Sequence, residues 1–280
     1  MDPLVSTDWL AAHLEDSDLA LLDATWFMPG TPRDAAAEFA ERHIAGAVFF
    51  DIDKIADSAS ALPHMLADPA DFAVAARRLG VNPESTVVIY DALGLFSAPR
   101  GWWNFRAMSH ARATVLDGGL PKWLAEGRPV ESGWREPVHG AFKARARADL
   151  VRDLEGVRAA LAAGSEQLLD ARPADRFTGQ APEPRPGLRS GHMPSARNLP
   201  WSSLVRSDGT LLPAEALRAA FEGAGVDLTS PIVTSCGSGI SASLLALALA
   251  RLGRDDVAVY DGSWSEWGGR SDTPVVLGSA

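Results

Sequence analysis

The chain carries the same succession of motifs twice, and that duplication limits its fold more than any other feature. Leu21-Leu22-Asp23-Ala24 precedes Arg42-His43-Ile44-Ala45-Gly46-Ala47, and Leu168-Leu169-Asp170-Ala171 precedes Gly191-His192-Met193-Pro194-Ser195-Ala196. Asp23 to His43 spans 20 residues, and Asp170 to His192 spans 22. An apolar run follows in each half, Val87-Val88-Ile89-Tyr90-Asp91 and Ile232-Val233-Thr234-Ser235-Cys236. Each half closes on a short strand and an Asp-Gly turn with tryptophan beyond it, Asp117-Gly118 with Trp123 and Asp261-Gly262 with Trp264 and Trp267. A unit made twice must bury its own core in half the chain, and 280 residues suit two domains of ordinary size.

Within each copy, β-branched runs alternate with helical patterns. Pro69 to Gly80 and Pro213 to Gly225 begin near Pro and end at Gly, the expected helix punctuation. Ser241 to Leu252 is apolar nearly all round and should be a buried helix. Strands alternating with helices imply a parallel sheet covered on both faces. The fold class is therefore α/β, with two tandem domains at 1–128 and 150–280. Residues 129–149, rich in Gly, Pro and Arg without clear periodicity, read as the linker between them.

Composition excludes several functions. A net charge of −10 argues against nucleic acid as a partner, because phosphate binding needs a basic surface. No uncharged apolar run reaches the length of a membrane span. The start, Met-Asp-Pro-Leu-Val, lacks the basic and apolar regions of a secretory signal, and a lone cysteine cannot form an internal disulfide. Together these point to the cytoplasm. Six scattered histidines and one cysteine show no metal-ligand spacing, so neither metal nor organic cofactor is expected.

A duplicated chain also separates scaffold from chemistry, since features found in one half only are the candidates for function. His43 and His192 occupy matching places and read as structural, each tying a loop to the strand that follows. Cys236 stands against Asp91. A lone cysteine is most often a small buried hydrophobe. This one ends a strand and opens Cys-Gly-Ser-Gly-Ile-Ser-Ala, just before the apolar helix. Glycines let successive N–H groups converge on an anion, and the helix N-terminus adds positive potential. Gly237, Gly239, Ile240 and Ser241 would line that cradle, which favours thiolate, the nucleophilic form. Cysteine phosphatases share the strand–Cys–loop–helix arrangement but close the loop with an arginine six residues on, where this chain has Ala242. The local signatures of papain-like hydrolases are also absent.

A second asymmetry is the stretch from Asp170 to Gly187, which carries Arg172, Arg176 and Arg185. Beside an uncharged nucleophile loop, Arg176 and Arg185 are sensible clamps for a substrate carboxylate. Arg172 is the weaker candidate, with internal pairing as its other reading. A third is Asp51-Ile52-Asp53-Lys54 with Pro63-His64-Met65 in the first half, which could equally be surface loop.

Taken as a block, these residues resemble the tandem-domain rhodanese family over essentially the whole chain. The resemblance includes Glu41-Arg42-His43-Ile44, Phe50-Asp51-Ile52-Asp53, His64-Met65-Leu66, Ser97-Ala98-Pro99-Arg100 with Trp102-Trp103, Pro182-Glu183-Pro184-Arg185, Cys236-Gly237-Ser238-Gly239 and Tyr260-Asp261-Gly262-Ser263-Trp264. It implies two rhodanese-like domains, an inactive N-terminal copy and a catalytic C-terminal one. The loop Gly237-Ser238-Gly239 lacks the basic residues of thiosulfate-preferring members and is similar to the branch that uses 3-mercaptopyruvate. On that resemblance Cys236 carries a persulfide, Arg176 and Arg185 hold the donor, and Ser238, His64 and Asp53 form a proton relay. The acceptor would be thioredoxin, a small thiol or cyanide. Thiosulfate transfer and a persulfide carrier with little turnover remain the alternative readings. Phe96 stands where the family often has tyrosine.

Overall fold

The computed structural model describes residues 2–279, which divide into two compact units. The first takes in residues up to Ser58, Leu66–Arg147 and Arg206–Leu211; the second takes in Ala59–Met65, Ala148–Val205 and the chain from Leu212 onward. Elements of the first unit are β1 (Leu4–Val5), α1 (Thr7–His13), β2 (Leu19–Asp23), α2 (Ala35–Glu41), β3 (His43–Ile44), β4 (Val48–Phe49), α3 (Pro69–Arg78), β5 (Thr86–Tyr90), α4 (Ala98–Ala107), β6 (Ala113–Leu116), α5 (Gly119–Ala125) and β7 (Val130–Glu131). Those of the second are β8 (Val151–Arg152), α6 (Leu154–Ala163), β9 (Gln167–Asp170), α7 (Ala174–Thr178), β10 (Arg197–Asn198), α8 (Ala214–Gly223), β11 (Ile232–Ser235), α9 (Ile240–Arg251), β12 (Ala258–Tyr260) and α10 (Ser263–Trp267).

Each unit is built on a five-stranded sheet whose pairs are all parallel. The orders are β1-β6-β5-β2-β4 and β10-β9-β11-β12-β8, and the second read backwards matches the first strand for strand. The apolar runs at 87–91 and 232–236 supply the central strands, β5 and β11, as continuous apolar composition requires of strands covered on both faces. Helix punctuation holds as read: α3 starts at Pro69, with Asp68 capping the N–H groups of Ala70 and Asp71, and α8 follows Pro213. In α9 every residue but Arg251 is buried. Leu21, Val88, Tyr90, Leu116 and Trp123 centre one core; Leu168, Val233, Tyr260, Trp264 and Trp267 centre the other.

Two local readings look different in the folded chain. His43 and His192 each turn back onto the preceding helix rather than forward to a strand. His43 Nδ1–H donates to Phe39 O at 2.7 Å and its ring stacks on Phe39, and His192 does the same with Phe177 at 2.9 Å. The stretch read as a linker, 129–149, is secured to the first unit as far as Arg147. There β7 pairs antiparallel with β3, Phe142 is buried with its N–H on Val81 O, and Arg147 N–H reaches Ala107 O. A segment without periodicity has paired its backbone with neighbours already in place, which no local pattern announces.

Candidate active site

Cys236 follows the last residue of β11, at the carboxyl end of a central strand, where open α/β sheets bind their ligands. Its register neighbour across the sheet is close at hand, since Ser235 pairs with Asp170 at the end of β9. Gly239 caps α9 with φ +82°, a backbone conformation that glycine adopts without strain. Ile240 and Ser241 then begin the helix, so their N–H groups are among those with no acceptor inside it.

The loop is braced from α10. Ser263 Oγ accepts the Cys236 N–H at 3.2 Å and donates to Tyr260 O. The Cys236 and Gly237 carbonyls accept from the N–H groups of Trp264 and Ser265, each at 2.9 Å, and Ser265 Oγ adds a second bond to Gly237 O. Those bonds tie the carbonyl side of the loop to α10. Cys236 is 2% exposed, so the sulfur is largely withdrawn from bulk water.

Two further groups sit on the loop. A Cβ at Gly237 would lie 3.3 Å from Arg176 Nη2 and 3.8 Å from Arg185 Nη1, so the missing side chain admits both guanidinium groups to the residue after the nucleophile. His64 Nδ1 lies 3.0 Å from Ser238 Oγ and 3.4 Å from Ser238 O, a pairing inside the second unit because Ala59–Met65 belongs to it. His64 is buried and holds φ +62°, which a residue with a β-carbon seldom adopts. Such outliers persist where surrounding structure over-determines them, commonly at functional sites.

Arg172 pairs internally. Its guanidinium takes both oxygens of Asp170, bonds Glu183 Oε1 at 2.8 Å and lies 4.3 Å over the Trp264 ring. Burial works against its charge, but the carboxylates of Asp170 and Glu183 outweigh burial and leave its pKa above the ordinary arginine value. Glu183, 1% exposed, also ion-pairs with Arg176 and so orients one of the two loop arginines. Asp53 lies in the first unit, where it accepts from Trp26 Nε1 at 3.2 Å. Phe96, also there, packs against the Trp26 ring.

Of the residues named from the sequence, the structure brings Cys236, Gly237, Ser238, His64, Arg176 and Arg185 together, and the braces were not foreseen. Ser263, Ser265 and Glu183 have no like counterpart in the first half, where Gly119 and Pro121 stand against the two serines. The asymmetry that singled out Cys236 was present at these positions too. Among the described residues no helix is long and apolar enough to cross a membrane, and no cluster of His, Cys, Asp or Glu could hold a metal ion.

Comparison with known proteins agrees with this layout. The family described as "Rhodanese-like domain" matches residues 6–126 and again 153–270. The 3-mercaptopyruvate sulfurtransferase of Escherichia coli K12 is 46% identical over 272 residues, covering 97% of this chain and 96% of that one. Its human namesake is 43% identical, covering 94% and 91%. A crystal structure of SseA, a 3-mercaptopyruvate sulfotransferase from Escherichia coli, superposes with a TM-score of 0.86 at 42% identity, covering 94% of this chain and 99% of that one.

Proposed function

The chain belongs to the rhodanese-like family, and we propose that it moves the sulfane sulfur of 3-mercaptopyruvate to a thiol acceptor through a persulfide on Cys236. The observation that carries this reading is the setting of Cys236. It is the single cysteine, placed where a central strand meets a helix N-terminus, with Arg176 and Arg185 against the next residue. Relatives named for this activity, aligned over nearly their full length, support it.

In the first half-reaction the Cys236 thiolate attacks the substrate sulfur. The carbon–sulfur bond breaks, its electron pair passes to the pyruvate enolate, and protonation of that enolate releases pyruvate. Cys236 keeps the sulfur as a persulfide. In the second, an acceptor thiolate attacks the outer sulfur, the S–S bond breaks, and the Cys236 thiolate is restored. This is covalent catalysis with ping-pong character. Arg176 and Arg185 hold the substrate carboxylate and keto oxygen, matching planar forks to a planar anion. The Ser238–His64 pair handles the enolate proton. N–H groups from Gly237 to Ser241 stabilise the persulfide anion. The first unit's copy lacks a cysteine and performs no transfer. The acceptor is thioredoxin or a small thiol, and the compartment is the cytoplasm.

The test is initial rates with 3-mercaptopyruvate and thiosulfate side by side, using thioredoxin and cyanide as acceptors. The expected result is a higher kcat/KM for 3-mercaptopyruvate, because the loop after Cys236 has no charge to answer a dianion. A preference for thiosulfate would overturn the substrate assignment while leaving the persulfide intact. Introducing basic residues at Gly237 and Ser238 should move preference toward thiosulfate.

A further inference from the structure

In the second unit the buried carboxylate that ends β9 is answered by a cation from its own chain. Arg172 Nη2 donates to Asp170 Oδ2 at 2.7 Å and to Gly191 O at 2.8 Å, over the Trp264 ring. In the first unit Thr25 stands where Arg172 does. Backbone bonds fix the correspondence independently of sequence. Ala24 N–H donates to Tyr90 O as Ala171 N–H does to Ser235 O, and Leu120 N–H donates to Asp91 O as Trp264 N–H does to Cys236 O. Asp23, Thr25, Arg42 and Leu120 are therefore the counterparts of Asp170, Arg172, Gly191 and Trp264. All four line one cavity of 610 Å³, which lies wholly within the first unit. The cavity thus borders the position that the Arg172 side chain takes in the second unit, with Thr25 in its place.

The charges around that space are those such a group needs. Asp23 is 2% exposed, and among the described residues its donors are uncharged: the Thr25 N–H, the Thr25 hydroxyl and the Tyr90 hydroxyl. The nearby Asp91 carboxylate deepens the negative potential. Glu38, Glu41 and Arg33 also line the cavity, and Arg33 spends its charge on Glu38 through two bonds of 2.7 and 2.6 Å. Arg42, the remaining lining cation, is exposed. The volume falls within the range of small-molecule sites.

We propose that this cavity binds a small guanidino acid, its guanidinium beside Asp23 in the place Arg172 fills in the second unit and its carboxylate meeting Arg42. The site is separate from the sulfur-transfer chemistry and does not depend on it. A planar fork matches a carboxylate bidentately, and a buried carboxylate lacking a cation gains most from one.

Calorimetric titration of the intact protein tests this with three probes: 4-guanidinobutyrate, 4-ureidobutyrate, in which a neutral urea replaces the guanidinium, and n-propylguanidinium. The guanidino acid should saturate one site per chain. The ureido analogue should bind at least about 10-fold more weakly, as loss of a charge-assisted bond implies. Propylguanidinium should be weaker by about 2- to 5-fold, the value of one exposed ion pair. Asp23→Asn should lower affinity about 10-fold or more, and Thr25→Arg, which supplies the guanidinium from the chain itself, should abolish binding. If Thr25→Arg fails to fold, Arg42→Gln should erase the advantage of the guanidino acid over propylguanidinium. Absence of saturable binding, equal affinity for the ureido analogue, or unchanged affinity in Asp23→Asn would each overturn the proposal.

Discussion

The loops that follow β5 and β11 occupy the same place in the two units and hold different occupants. In the first unit Asp91 begins the loop, and its carboxylate gathers four backbone N–H groups. Leu93 donates to Oδ1 at 2.7 Å, and Phe96, Ser97 and Ala98 donate to Oδ2 at 2.9, 2.8 and 2.8 Å. The nest is filled by the chain's own anion. Burial raises the Asp91 pKa, and those four N–H bonds oppose the rise. In the second unit Cys236 begins a shorter loop, with α9 starting at Ile240, four residues on, where α4 starts at Ala98, seven residues after Asp91. A neutral thiol does not occupy such a nest as an anion does. Ionised or sulfurated, it would. The first copy thus spends its nest on structure, whereas the proposed persulfide would use the equivalent position of the second for chemistry.

The most severe way to break the comparison is to remove the sulfur from the second nest. Cys236→Ser should abolish transfer with the fold intact, and intact-mass spectrometry after donor treatment should show one added sulfur on the parent protein and none on the variant. Full activity in the serine variant would end the covalent reading. Next in size are the groups around the nest. Losing one charge-assisted bond costs roughly 1.5–3 kcal/mol, so Arg185→Ala should lower kcat/KM by about 10- to 150-fold, mainly through KM. Ser238→Ala should act mainly on kcat, because proton handling matters most in the transition state. Steady-state kinetics at saturating acceptor separates the two, and an unchanged KM for the arginine variant would refute the clamp.

Emptying the first nest should cost stability instead. Asp91→Asn turns an amide N–H₂ or a single oxygen toward N–H groups that now share a carboxylate. Unsatisfied buried donors cost about 1–3 kcal/mol each, so destabilisation of about 2–4 kcal/mol is expected from denaturant unfolding, with little change in kcat. A variant as stable as the parent would mean that the four bonds stabilise nothing.

Much of this was legible before folding because the chain is its own alignment. Asp23 with Asp170, His43 with His192 and Asp91 with Cys236 fixed the repeat, and the central strands and α9 followed from their apolar runs. What escaped was carried by single side chains reaching across gaps in sequence. Ser263 braces Cys236 from 27 residues away, and Glu183 joins Arg172 to Arg176 through a buried ion pair. Neither has periodicity to announce it. The reach of His64 to Ser238, 174 residues apart, entered only through resemblance, since only folding determines which loop joins which unit.

The gentlest test concerns the ends of β2 and β9, where the same aspartate meets a threonine in one unit and an arginine in the other. Burial outweighs the hydrogen bonds from Thr25 and Tyr90 and pushes Asp23 up from the usual 3.8 to about 6. A carboxyl group whose pKa is higher folded than unfolded binds more protons in the folded state between those values. Its contribution is therefore fully present below pH 3.8 and is lost as pH rises through about 6. That displacement amounts to roughly 3 kcal/mol at most. Asp23→Asn cannot ionise and should escape this loss, whatever fixed cost its altered hydrogen bonds carry. Denaturant unfolding of both proteins at pH 4, 5.5 and 7.5 should show the stability difference moving in favour of the variant by roughly 2–2.5 kcal/mol across that window. A difference that stays flat from pH 4 to 7.5 would mean that Asp23 titrates alike folded and unfolded, and that the absence of a partner arginine in the first unit costs it nothing.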